Sequence, residues 1–103
     1  MLLEVLYVPG CPNHQPAMGR LREILRSEAM DLPIREIAIT DEATARALRF
    51  PGSPTIRIDG LDAAPVNDQS FGIACRLYLG DGLPSEKALR HAILAARMRE
   101  AHL

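Results

Sequence analysis

Two stretches of the chain carry residue types that can do chemistry. The first is Val8-Pro9-Gly10-Cys11-Pro12-Asn13-His14, in which a thiol and an imidazole follow directly on an apolar run, Leu2 to Val8. The second is Ser53-Pro54-Thr55, at the head of Thr55-Ile56-Arg57-Ile58. A thiol acts as nucleophile or metal ligand through its thiolate, and the free N–H groups and partial positive charge of a helix N-terminus favour that anion. Cys11 stands just ahead of a helical pattern, and its Pro-Gly and Pro-Asn-His flanks describe an exposed turn. His14 could stabilise a thiolate as imidazolium, relay a proton, or join Cys11 as a metal ligand. It could also be a polar residue on an exposed first turn. Cys75 is the second thiol, in surroundings that equally suit a plain buried cysteine.

The elements that must position these groups follow from hydrophobic periodicity. Leu2 to Val8 reads as a central strand covered on both faces and stopped by Pro9-Gly10. Met18, Leu21, Ile24 and Leu25 recur at helical spacing, with Arg20, Arg22, Glu23 and Arg26 on the other side. Pro16 cannot donate to the Pro12 carbonyl and biases Gln15 away from helical angles, so a regular helix starting only at Pro16 is expected. Ile34 to Ile39 is a second strand, and Thr40-Asp41 offers an N-cap for a short helix through Ala45 and Leu48, broken by Phe50-Pro51-Gly52-Ser53-Pro54. Thr55 to Ile58 is a third strand closed by Asp59-Gly60, the long stretch Leu61 to Gly72 is a loop, and 75–79 is expected as the fourth strand. Ser85 caps a last helix with Leu89, Ala92, Ile93 and Ala96 on its apolar stripe. The fold expected is α/β, in the order β-α-β-α-β-β-α, with a four-stranded mixed sheet and helices on both faces.

Composition narrows the function. With 103 residues, 48% of them hydrophobic, the chain is expected to fold as one domain spanning 1–103 without disulfide staples. Twelve basic residues against thirteen acidic, a net charge of -1, give no general attraction to nucleic acid or to an anionic membrane. No apolar run approaches the roughly 18 residues of a membrane span, and Met1-Leu2-Leu3-Glu4 has no signal-peptide pattern, so a cytoplasmic setting is expected. In that compartment two cysteines are expected to be free thiols rather than a structural disulfide.

That element order, with Cys11 after the first strand and Ser53-Pro54-Thr55 before the third, resembles the minimal thioredoxin fold over almost the whole chain. The resemblance implies a cis Pro54 against the active cysteine. It also implies a substrate-binding surface made by Pro12, Asn13, Ser53, Pro54 and Thr55, the last three as an extended backbone edge. Thioredoxins carry a second cysteine three positions after the first; here His14 stands there, so ordinary dithiol reduction through this motif is excluded. The resemblance then implies a monothiol-type thiol-disulfide oxidoreductase. Cys11 would form a mixed disulfide with glutathione, another small thiol or a disulfide-bearing protein, and a partner thiol would resolve it.

A second resemblance rests on Asp68-Gln69-Ser70-Phe71, Cys75 shortly after, and the Pro84-Ser85-Glu86 helix start. These residues are similar to the C-terminal part of the alkylmercury lyases. By that resemblance Cys11 and Cys75 would grip mercury as substrate while His14, in the place of an aspartate, protonates the departing carbon. A non-enzymatic module binding metal through Cys11 and His14 is the third reading. Catalytic roles are thus expected for Cys11, His14 and Cys75, and Cys75 decides between the first two readings. A fourth strand over 75–79, antiparallel to the third, would begin at the end of the sheet away from Pro54. Cys75 would then lie on the order of 15 Å from Cys11, far outside disulfide reach, unless the Leu61 to Gly72 segment climbs back over the active end and delivers Ser70 to Cys75 there.

Overall fold

In a computed structural model, which describes residues 1–65, 71–74, 76, 78 and 81–101, the apolar N-terminal run becomes β1 (Leu3–Tyr7). There follow α1 (His14–Ser27), β2 (Ile34–Ala38), α2 (Glu42–Ala47), β3 (Thr55–Ile58), β4 (Leu61–Asp62) and α3 (Glu86–Ala101). The described strands form one mixed sheet in the order β2-β1-β3-β4, with β1 parallel to β2 and antiparallel to β3. No described helix is long and apolar enough to cross a membrane.

β1 is apolar except at Glu4 because it lies between β2 and β3 and is covered on both faces. Leu3 and Val5 face α1 and α3, where they meet Met18, Leu21, Ile24, Leu89 and Ile93 together with Ile56 and Ile58 of β3. Leu6 faces the other way, into a smaller cluster with Ile39, Ala45 and Phe50 beside α2. The sheet therefore carries helices on both faces, and alternation along β1 assigns each side chain to its layer.

The fourth strand is not where the sequence placed it. Asp59 and Gly60 both take positive φ, 54° and 82°, as a two-residue type I′ hairpin requires, and Ile58 pairs at once with Leu61. Of the stretch 75–79, Arg76 and Tyr78 lie outside any strand, while Cys75, Leu77 and Leu79 fall outside the described residues. The helix start also differs. α1 begins at His14, because Pro16 falls in the first turn, where a backbone N–H has no intrahelical partner and its loss costs nothing.

Both α1 and α2 end in the same hydrogen-bonded motif. The amide of Ala29 donates to the Arg26 carbonyl and that of Met30 to Leu25, and in α2 Arg49 donates to Arg46 and Phe50 to Ala45. This is the Schellman arrangement, and it seats Phe50 on Ala45 in the α2-side core. Arg57 of β3 adds hydrogen bonds to the carbonyls of Leu48 and Arg49 at 2.7 and 3.0 Å. The left-handed positions are Ala29 and Arg49, each at φ 53°, rather than glycine. A side chain there costs roughly 1–2 kcal/mol, partly offset by the greater freedom of glycine in the unfolded chain. Ala29→Gly is therefore expected to raise unfolding stability by about 1 kcal/mol or somewhat less in urea denaturation. A lowered midpoint would contradict this account of the helix end.

Candidate functional site

The turn carrying Cys11 is built by two prolines and a glycine. The Cys11 amide donates to the Val8 carbonyl at 3.0 Å, closing a β-turn with Pro9 and Gly10 at its centre. Gly10 takes φ 86°, the pattern of a type II turn. The His14 amide donates to the Cys11 carbonyl at 3.2 Å, and Asn13, at φ −96° and ψ 0°, occupies the second central position of a type I turn. That turn runs directly into α1, whose first intrahelical bond joins the Ala17 amide to the Asn13 carbonyl. Cys11 is a free, half-buried thiol with Pro9, Gly10 and Pro12 exposed around it. Asn13 is half-buried and its amide packs on Gly82, at the turn before α3.

His14 leans back over the sheet. Its ring stacks on Tyr7 with centroids 3.6 Å apart and planes within 7°. Its Nε2 lies 2.8 Å from Glu36 Oε1, and the imidazole side chain is 11% exposed. The Cys11–His14 pair is thus joined by the helix-opening turn, and β1 and β2 supply the imidazole's partners. Neither Tyr7 nor Glu36 carries a signal in the sequence, because both act through strand register.

The Ser53-Pro54-Thr55 run lies beside the Cys11 turn, with the Val8 amide donating to Ser53 Oγ at 3.0 Å. The Ser53-Pro54 bond is cis. The run is held by the protein's own hydrogen bonds. Ser53, Pro54 and Thr55 are buried, and the Ser53 backbone is already paired, its N–H to the Ala74 carbonyl at 2.7 Å and its carbonyl to the Arg76 N–H at 3.0 Å. The Tyr78 hydroxyl donates to the Pro54 carbonyl at 2.7 Å. Burial pushes the Tyr78 hydroxyl far above its ordinary range, against the opposing pull of the Arg76 charge, so it stays a neutral donor. The chain itself fills the edge, which makes these residues scaffold for the Cys11 turn.

Arg76 holds that arrangement together. Its side chain is 2% exposed and forks between Asp62 Oδ2 at 2.8 Å, Thr55 Oγ1 at 3.2 Å and the Ala64 carbonyl at 2.8 Å, with its plane over the Tyr78 ring. Gly52 is required beneath it: a Cβ there would come within 2.7 Å of Arg76 Cγ, at a φ of 135° that disfavours any side chain. The sequence reading missed this residue, although one arginine inside an otherwise apolar run is the signal that could have found it.

Cys75 lies outside the described residues, so the pairing of two thiolates required for carbon–mercury chemistry falls there too. Among the described residues no three of the types His, Cys, Asp and Glu gather as a metal site, and the Nε2 of His14 is engaged by Glu36. A groove of about 570 Å³ lies at the opposite end of α1, lined by Arg22, Arg26, Met30 and Leu32 among others. It contains no thiol or imidazole, so chemistry rather than concavity assigns the site to the Cys11 end. No family model, curated protein or solved structure matches the chain.

Removing one member of a buried ion pair strands its partners. Arg76→Ala leaves Asp62 Oδ2 and the Ala64 carbonyl without their arginine donors, and is expected to cost roughly 3–5 kcal/mol of unfolding stability. Arg76→Lys, with no planar fork, should not restore it. A change below about 1 kcal/mol, within the range of a surface ion pair, would contradict the clamp.

Proposed function

We propose that the chain is a thioredoxin-like thiol protein in which Cys11 exchanges with disulfides by a single-thiol route. The observation that carries the reading is Cys11 itself. It is a free, half-buried thiol in an exposed proline-glycine turn at the end of the central strand, tied to the Ser53 loop through the Val8 amide. The sheet order β2-β1-β3-β4, with a parallel and an antiparallel neighbour of β1, agrees with it.

The chemistry needs one thiolate and an external disulfide. Cys11 loses its proton and its Sγ attacks one sulfur of oxidised glutathione or of a protein disulfide. A bond forms between Cys11 Sγ and that sulfur as the original S–S bond breaks. The second sulfur leaves as a thiolate and takes up the proton. His14 stands where a resolving cysteine would be needed, so a thiol from a partner molecule reduces the mixed disulfide. The exposed Pro12 and the half-buried Asn13 are the neighbours through which a substrate would approach the thiol in this reading.

Incubation of the native chain with oxidised glutathione, read by intact mass and peptide mapping, tests this. One glutathione should attach at Cys11; Cys11→Ser should abolish the adduct, and Cys75→Ser should leave it. An adduct that survives Cys11→Ser and maps to Cys75, or no adduct on native protein, would contradict the reading.

A further inference from the structure

β2 forms one edge of the sheet, with β1 on one side and no described strand on the other. Its backbone phase follows from a single bond, the Ile39 amide donating to the Tyr7 carbonyl at 2.8 Å. In a parallel ladder a residue directs its N–H and C=O to the same neighbour, and successive residues point opposite ways. Arg35 and Ile37, in phase with Ile39, therefore turn their main chain to β1. Ile34, Glu36 and Ala38 turn theirs outward, which leaves a short row of donors and acceptors along the sheet edge.

The same edge borders the groove at the far end of α1. Ile34 is both the first residue of β2 and part of the groove lining, where half-buried Met30 and Leu32 continue the apolar surface. Arg22 and Arg26 stand one turn apart on α1, so that side of the groove carries two positive charges. Ion pairs among the described residues take up Arg20, Arg76, Arg90, Arg97 and Arg99 but neither of these two. The acids close to them in sequence and along β2 do not restore the balance. Glu28 is held by Arg90 and Arg97, Glu36 is held by His14, and Asp31 is the single carboxylate in the lining. A volume of about 570 Å³ would suit a small ligand, but such sites enclose most of what they bind, and here Arg22, Arg26, Asp31 and Pro33 are all exposed. An extended chain needs no enclosure, because a strand edge holds it through the main chain.

We propose that the β2 edge and this groove form a docking surface for an extended acidic segment of a partner protein. The segment adds as a strand outside β2 and bonds to the main chain of Ile34, Glu36 and Ala38. On the α1 side its carboxylates pair with Arg22 and Arg26, and the stems of those side chains cover Met30, Leu32 and Ile34. Alternate, apolar residues of the segment lie beside Ile37 on the other face. The docking surface makes no use of Cys11 and stands apart from the thiol reading.

Titration of the ¹⁵N-labelled full chain with an end-blocked peptide of alternating glutamate and valine tests this. At saturation the Ile34, Glu36 and Ala38 amides should shift and exchange more slowly with solvent, while those of Arg35 and Ile37, already bonded to β1, change little. Putting lysine for every glutamate removes the charge match, and putting proline for the valines removes the strand; either should abolish binding. Arg22→Gln combined with Arg26→Gln, exposed changes to another good helix former, should weaken binding about tenfold, with thermal unfolding confirming the fold. No saturable shift up to millimolar peptide overturns the proposal, as does equal binding by the lysine peptide. Binding that survives the proline substitutions, or that hexanoate matches without slowed exchange at Glu36 and Ala38, overturns strand addition and makes the groove a site for small anions.

Discussion

Everything at the candidate site hangs on β1 being the middle strand. Because both its faces are buried, its direction and register are set by packing, and its C-terminal end is delivered to a fixed point between the α1 layer and the α2 layer. Three connections meet there. The Pro9-Gly10 turn carries Cys11 into α1, the Val8 amide reaches the Ser53 hydroxyl, and Tyr7 supports the His14 ring. A one-residue slip of β1 would exchange its two faces and dismantle all three at once. The site is thus a consequence of the core rather than an ornament on it.

The second organising feature is polar. Arg76 enters the protein beside β3 and satisfies a carboxylate, a hydroxyl and a carbonyl, while the Ala74 carbonyl and the Arg76 N–H pair with Ser53. Buried polar groups of this kind are costly unless paired, so the pairing specifies how Ala74 and Arg76 meet the Ser53 loop. It also explains why the extended run before β3 offers no open backbone edge. The Ser53 main chain is paired with the protein's own, and Pro9, Gly10 and Pro12 are the exposed residues around Cys11.

Much of this was legible in the sequence wherever local periodicity coincides with burial. The apolar stripe of α1, the Asp41 cap, the alternation of β3 and the Ser85 start of α3 are each fixed by neighbouring residues and by one buried face. The structure departs where the deciding contact is distant or brief. β4 is two residues on a sheet edge, announced only by Asp59-Gly60, and carries no alternation to read. The start of α1 turned on whether Pro16 fell inside the first turn. The imidazole's partners come from register, and the Arg76 clamp joins residues from three stretches of chain. Cys11 and His14 were legible as chemical types, and Glu36, Tyr7 and Arg76 became visible only through tertiary structure.

The central claim is that the folded turn presents Cys11 as an accessible nucleophile. The most direct measurement compares the rate at which Cys11 reacts with a small aromatic disulfide in the native chain and in the same chain unfolded in urea, at one pH, by peptide mass. The account predicts that native Cys11 reacts at least as fast as unfolded Cys11. A native rate suppressed a hundredfold or more, with modification appearing only on unfolding, would contradict it and make Cys11 a thiol buried for packing.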